Sequence, residues 1–247
     1  MTVAGPLVPL PVAVPPPEGA ARSVDLRVLS WNVRGLRDDI RTLARIVRNL
    51  DPDVMCVQEA PKYLRWRSKC AALARDCGLL YVTGGGSTGG SALLASLRVD
   101  VKRSAEVCLS RQWGWPARGV AAAVVAKGGT ELVVASIHLP LDRRERLDQV
   151  PRVVGICQAA GLAHVLAAGD INERPGHIAW RALHDHGLRD LGPGTGPTYP
   201  ARRPTKRIDG VVGSEGLEVL DYRVVDDAGV ERASDHRPVL ATVRMRS

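Results

Sequence analysis

Two rhythms of apolar residues alternate along the chain from Asp25 onward. Residues 26–32 are mostly apolar and read as a buried strand. Ile40, Leu43, Ile46, Val47 and Leu50 then fall on one helical face, with Arg41, Arg45 and Arg48 on the other. Asp51-Pro52 stops that helix, because the residue before a proline is pushed out of the α region. Residues 54–58 predict a short buried strand and residues 63–76 a helix ended by Gly78. Strand-like runs follow at 79–83, 91–95, 99–109, 119–126 and 131–138, separated by glycine-rich turns at 84–90 and 127–129. A helical pattern resumes after Pro140, where Pro151 should open a second helix or kink the first. A strand runs into Asp170, a helix covers 178–186, and strands close the chain near 207–212, 217–225 and 238–244. This order predicts a four-layer α/β/β/α sandwich, two packed mixed sheets flanked by helices, built as one domain over residues 25–247. Residues 1–24 are expected to stay outside it as a disordered or polyproline-like lead, being studded with proline.

Composition narrows the picture. At 247 residues one domain is the simplest reading, and with no phenylalanine the core must be filled by Val, Leu, Ala and Ile. The net charge of +8 rests mainly on arginine, which fits either a polyanionic partner or a general bias toward Ala, Gly, Arg and Val. Clustering of the charges would decide between them. Five cysteines without a CxxC pair give neither a disulfide framework nor a zinc site, and a cytoplasmic protein is expected. Cys56, inside an apolar run, reads as a small hydrophobe. No apolar stretch reaches the ~20 residues of a membrane span, and a monomer is expected.

The chemistry lies at the strand ends. Asn32, Glu59, Asp170 with Asn172, Asp209, and Asp235-His236 each abut an apolar run. A buried strand gains nothing by ending in unpaired carboxylates, so such groups face a site or a compensating charge. One such acid is usually explained by an ion pair; four, with two asparagines and a histidine, are not. Hard oxygen donors select Mg²⁺ or Mn²⁺. His184 and His186, two apart on a helix, face different ways; His164 and His177 read as surface or structural. Trp113 and Trp115 flank Gly114, where they could stack on a ligand or pack under the loop.

Six motifs in order carry a resemblance: Trp31-Asn32-Val33, Val57-Gln58-Glu59, Ser136-Ile137-His138-Leu139, Gly169-Asp170-Ile171-Asn172, Arg207-Ile208-Asp209 and Ser234-Asp235-His236. Over residues 26 to the end the chain resembles the endonuclease/exonuclease/phosphatase superfamily in its deoxyribonuclease I-like form. The resemblance implies that Glu59, Asn32 and Asp235 hold Mg²⁺ or Mn²⁺, and that Asp170 and Asn172 hold the attacking water and the phosphate. It implies that His236, oriented by Asp209, acts as base or as phosphate-stabilising acid, and that His138 contacts phosphate or serves the leaving group.

Arg34 stands where abasic-site repair enzymes of this superfamily carry an acid, which argues against that specialisation. Arg34 and the basic loop residues Arg202, Arg203, Lys206 and Arg207 are assigned to the substrate, at the mouth of the site. The expected activity is metal-dependent phosphodiester hydrolysis, with nucleic acid, and DNA first, as substrate. A phosphatase or a sphingomyelinase-like phospholipid phosphodiesterase is the alternative, and a non-catalytic binding module the reading from outside enzymology.

Overall fold

Strand β1 (Ser23–Asn32) shows how the chain sorts its residues into layers. Leu26 and Val28 pack in the core between the two sheets, while Leu29 and Trp31 pack outward beneath helices. The period-2 alternation of a strand therefore feeds two cores at once. The computed structural model describes residues 23–110 and 117–246. The expected lead lies outside them apart from its last two residues, which already belong to β1; Trp113 and Trp115 also lie outside the described residues.

After β1 come α1 (Ile40–Leu50), β2 (Val54–Gln58), α2 (Trp66–Asp76), β3 (Leu80–Gly84), β4 (Ala92–Ala95), β5 (Asp100–Ser110), β6 (Arg118–Lys127) and β7 (Thr130–His138). Then follow α3 (Arg143–Gln158), β8 (Val165–Asp170), α4 (Ile178–Asp185), β9 (Arg189–Asp190), β10 (Asp209–Gly213), β11 (Glu218–Val224), α5 (Val230–Ala233) and β12 (Val239–Arg246). One six-stranded sheet has the order β11-β12-β1-β2-β4-β3, the other β5-β6-β7-β8-β10-β9. Each is mixed, with β1–β2 and β7–β8 parallel and their other pairs antiparallel. Three apolar cores separate the four layers: α1, α2 and α5 against the first sheet, sheet against sheet, and α3 with α4 against the second sheet. The predicted four-layer sandwich is what forms.

Several details differ from expectation. The first helix stops before Asp51-Pro52 as anticipated, with Asp51 in the left-handed region, and it starts at an N-cap the sequence reading did not name, Asp39 accepting from Thr42 N–H. The second begins at Trp66 rather than residue 63, because Arg65 adopts a left-handed conformation (φ 59°) that a helix cannot continue. Helix α3 runs as one element with Pro151 inside it, its buried side carrying Val150, Val153, Val154 and Cys157 against the second sheet. Packing of that face outweighs the lost backbone donor. Two short elements, β9 and α5, have too few residues to show a period and were not anticipated. Cys56 is wholly buried in the inter-sheet core, where burial pushes its thiol far up from its usual range. No helix among the described residues is long and apolar enough to cross a membrane.

Parity also explains where the polar groups lie. On β1, β2, β7, β8 and β10 the positions that face the other sheet include Val28, Val54, Cys56, Leu132, Val134, Leu166, Ala168 and Val211. Continuing the same parity to one end of those strands gives Ser30 and Asn32, Gln58, Ser136 and His138, Asp170, and Asp209. All of these are buried. The seam between the sheets is thus apolar along most of its length and polar at one end.

Candidate active site

Below the polar end of the seam, side chains tie the two sheets together. Gln58 Nε2 donates to Ser136 Oγ (3.2 Å), Ser136 Oγ donates to Val57 O (2.9 Å), and Ser30 Oγ donates to Gln58 Oε1 (3.4 Å). Buried polar groups linked this way fix the relative position of the sheets, which sets the spacing of everything above them.

Strand pairing brings these groups level. Asn32 pairs with Gln58 across parallel β1–β2, His138 with Asp170 across parallel β7–β8, and Asp209, the first residue of β10, with Asp170 across antiparallel β10–β8. Gly169 is required for this approach: a Cβ there would lie 1.8 Å from Ile137 O. Glu59, just past β2, takes a left-handed backbone (φ 51°) held by Gly35 N–H donating to its carbonyl. Such strain in a non-glycine residue is typical of a functional turn. The Ser234-Asp235-His236 turn is pinned to β1: Ser234 Oγ donates to Asn32 O (2.6 Å), and Trp31 Nε1 donates to His236 O (2.8 Å).

The result is a cleft of about 590 Å³ lined by Glu59, Arg118, His138, Asp170, Asn172, Arg174, Tyr199, Lys206, Asp235 and His236, among others. Asn32 and Asp209 sit beneath it. Asn32 Nδ2 donates to Glu59 Oε1 (3.3 Å) and to Asp170 Oδ2 (3.2 Å), and its Oδ1 accepts from Arg34 N–H. In this orientation the Asn32 amide holds two carboxylates and presents its N–H groups, not its oxygen, toward them. Asn172 (φ 56°) turns back so that its N–H donates to Asp170 Oδ1 and its Nδ2 donates to Leu139 O (2.8 Å). One amide hydrogen remains for an oxygen in the cleft.

The two histidines differ in charge. His236 Nδ1 lies 3.1 and 3.0 Å from the two oxygens of Asp209, and its Nε2 lies 3.8 Å from Asp170 Oδ2. Burial disfavours its imidazolium, but the charge and hydrogen bond of Asp209 outweigh that and raise it to about 9. His138 Nε2 lies 3.5 Å from Asp170 Oδ2, while its buried Nδ1 has no partner among the described residues. Burial, then the Arg118 guanidinium, hold His138 well below the usual histidine range, so it stays neutral. Burial and the facing Asp209 carboxylate push the Asp170 carboxyl up to about 7.

A divalent cation fits the donor set on one side of the cleft. Glu59 and Asp235 are only partly buried hard oxygen donors, the first held by a neutral amide and the second 3.5 Å from the half-exposed Arg34 Nε. Asp170, Asp209 and His236 also offer ligand atoms within 4.8 Å of one another. There, however, both Asp209 oxygens already accept from His236, and a cation would break the pair that holds the imidazole.

The basic residues separate into two groups. Lys206 lines the cleft and Arg34 stands at its rim against Asp235. Arg202 and Arg203 are exposed in the loop before Lys206 and do not line it. Arg207 corrects the expectation made for it: it is buried, donates through both Nη atoms to Asp190 (2.7 Å each) and packs on the Trp180 and Tyr222 rings. It supports the chain leading into Asp209 and cannot reach a substrate.

Arg118, Arg174 and Tyr199 are cleft residues that the sequence reading did not single out for chemistry. Arg118 opens the apolar strand β6, the same edge signal used for the acids, but only acids were weighed there. It is buried, its Nε has no partner among the described residues, and its Nη1 reaches only Ala117 O at 3.4 Å. Tyr199 packs against the His236 ring with centroids 4.8 Å apart.

The fold is shared with solved structures. A family protein from Bacteroides thetaiotaomicron is 19% identical with TM-score 0.76, covering 91% of this chain and 99% of that one. A Bacteroides thetaiotaomicron mannosyl-6-phosphatase is 18% identical with TM-score 0.74, covering 88% and 99%. D. rerio TDP2 complexed with single-strand DNA product is 20% identical with TM-score 0.70, covering 89% and 98%. At these identities the likeness is one of fold. No curated protein matches the chain by sequence. The model of the Endonuclease/Exonuclease/phosphatase family, however, matches residues 29–236, from the middle of β1 to His236 itself, and the chain belongs to that family.

Proposed function

We propose that this chain is a divalent-metal-dependent phosphodiesterase that hydrolyses nucleic acid, DNA first. One observation carries the reading: two partly exposed carboxylates, Glu59 and Asp235, face the same cleft as Arg118, buried and without an acidic partner among the described residues, and the His236 imidazolium. That combination suits a phosphate bridging a cation and a set of anion-stabilising donors. The ion held by Glu59 and Asp235 would supply Lewis-acid polarisation of the phosphoryl oxygen and charge relief for the leaving oxygen.

The remaining work falls to the chain. Asp170, with its carboxyl raised toward neutrality, accepts a proton from the attacking water, which Asn172 helps to orient. His236, its proton secured by Asp209, and Arg118 stabilise charge on the phosphoryl oxygens. Neutral His138, beside Asp170, contacts the phosphate. Nucleic acid is favoured because Arg34, Arg174 and Lys206 continue the positive charge along the rim and the whole chain carries +8. The TDP2 neighbour with its single-strand DNA product supports the same preference. A phosphatase is the second reading, supported by the mannosyl-6-phosphatase neighbour.

The test is a substrate panel of plasmid and single-stranded DNA, bis-nitrophenyl phosphate, sphingomyelin, sugar phosphates and inositol phosphates, run with Mg²⁺ and with chelator. DNA hydrolysis that stops on chelation is expected. Intact DNA beside a cleaved monoester or lipid would overturn the preference.

A further inference from the structure

Glu59 stands on a divide. One side of it belongs to the catalytic cleft, and the other lines a separate groove of about 420 Å³. That groove runs between the turn after β1 and the loop entering α2, and Arg37, Lys62, Tyr63 and Lys69 line it. Among the described residues none of its three cations lies within 4.0 Å of a carboxylate, although arginines elsewhere are widely paired. Glu59, at the shared wall, is the only acid lining it. Tyr63 is 75% exposed, with Lys62 Nζ 5.9 Å from its ring centroid, and Leu64 beside it is 83% exposed.

Three cations unpaired among the described residues, an exposed ring and a wall shared through Glu59 with the catalytic cleft describe a surface for a polyanion that also carries flat apolar groups. A sugar monophosphate or a choline-phosphate headgroup offers a single phosphate and would leave most of this groove unused, and an inositol polyphosphate has no flat apolar group for the exposed ring. We infer that the groove holds the single-stranded nucleic acid flanking the scissile phosphate, with Tyr63 stacking on a base and Arg37, Lys62 and Lys69 meeting backbone phosphates. This inference rests on the nuclease reading and adds where the strand runs: past Glu59 toward α2.

The test compares a labelled single-stranded oligonucleotide with bis-nitrophenyl phosphate, which is too small to reach the groove. Wild type, Tyr63→Ala, Tyr63→Phe and the double variant Arg37→Ala/Lys69→Ala are assayed over a series of salt concentrations. Tyr63→Ala and the double variant should raise KM for the oligonucleotide by about tenfold, as loss of a stacked base or of phosphate contacts implies. Tyr63→Phe, which keeps the ring, should behave as wild type. In the double variant the slope of log(kcat/KM) against log salt should flatten by about 1.4, roughly 0.7 for each lost contact to a single strand. Hydrolysis of the small diester should stay within about twofold throughout.

Unchanged oligonucleotide KM and salt slope, with DNA still cleaved by the wild type, would overturn the groove alone. Proportional loss on both substrates would also overturn it, since the residues would then act on the site rather than on the strand. A wild type that hydrolyses the small diester but no oligonucleotide would remove the nuclease reading and the groove with it.

Discussion

His236 and Asp209 form a buried pair: the imidazole Nδ1 lies 3.0 Å from one carboxylate oxygen and 3.1 Å from the other, at the base of the cleft. The Asp209 end is itself fixed, because Thr198 Oγ1 accepts from Ile208 and Asp209 N–H groups. The pair therefore sets both the direction of His236 Nε2 and the charge it carries. With His236 raised to about 9 from 6.5, the imidazolium persists through neutrality and is lost as pH rises through 9.

Asp209→Asn should lower kcat by ~10²–10⁴, the span of a disabled acid–base group. It should also move the alkaline limb of the rate profile toward neutral pH, since burial then acts on His236 without its opposing carboxylate. A profile of kcat against pH for both proteins reads this directly. Superimposable limbs would mean that Asp209 has no part in holding the proton.

The cation assignment can be checked without turnover. Titration calorimetry with Mn²⁺ should show Glu59→Gln and Asp235→Asn each weakening binding by at least about tenfold, about 1.4 kcal/mol. His138→Gln should bind as the wild type does, because the neutral His138 lies against Asp170 and, among the described residues, pairs with neither Glu59 nor Asp235. Equal affinity in all four proteins would move the ion elsewhere, with Asp170, Asp209 and His236 the next set to probe.

Arg118 makes a sharper prediction. A guanidinium buried without good partners, as this one is among the described residues, is costly unless something in the cleft meets it. Arg118→Ala should lower kcat/KM by ~10²-fold, comparable to removing one oxyanion donor. Arg118→Lys should recover part of this, because the charge returns without the planar fork. If the alanine variant hydrolyses its substrate at the wild-type rate, Arg118 is not a phosphate ligand.

Most of the architecture was legible because the strands obey a strict parity. Val28, Val54, Val134, Leu166 and Val211 mark the inter-sheet face, and following that parity to the strand ends reaches Asn32, Gln58, His138, Asp170 and Asp209. Charge was harder to read. Arg207 and Lys206 are neighbours in one basic loop, yet Lys206 lines the cleft and Arg207 turns inward to Asp190. Nothing local distinguishes them, because the partner belongs to β9, a two-residue strand with no period of its own. Arg118 was overlooked for the opposite reason: its position at a strand edge was informative, but an arginine at a strand edge is common on surfaces and only the structure shows this one buried.

That difference within the basic loop is itself testable. Arg207→Ala leaves Asp190 partly buried without its bidentate partner and removes a cation from the Trp180 and Tyr222 rings. A loss of about 3 kcal/mol in urea unfolding is expected, at the low end for a broken buried pair. Arg202→Ala and Arg203→Ala, both exposed, should stay within about 0.5 kcal/mol. Similar stability for all three variants would contradict the buried role of Arg207.

The opposite end of the molecule offers a pH switch in stability that is independent of catalysis. Asp53, buried just before β2, accepts from Lys127 Nζ (2.6 Å), Arg98 Nε (2.7 Å) and Arg27 N–H (2.9 Å). Burial alone would raise its pKa, but the hydrogen bonds from Lys127 and Arg98 prevail and hold it below the usual carboxylate range. A depressed carboxylate stabilises the fold fully above its unfolded value and loses that contribution as pH falls through its folded one. Asp53→Asn should therefore cost about 2 kcal/mol at pH 7, less than a fully buried pair because Arg98 and Lys127 are partly exposed. The gap to wild type should narrow as pH falls through the depressed folded value, where the native carboxyl also becomes neutral. Urea unfolding at neutral and acid pH measures both quantities. A gap that is constant across that range would show that the Asp53 charge contributes nothing that an amide cannot supply.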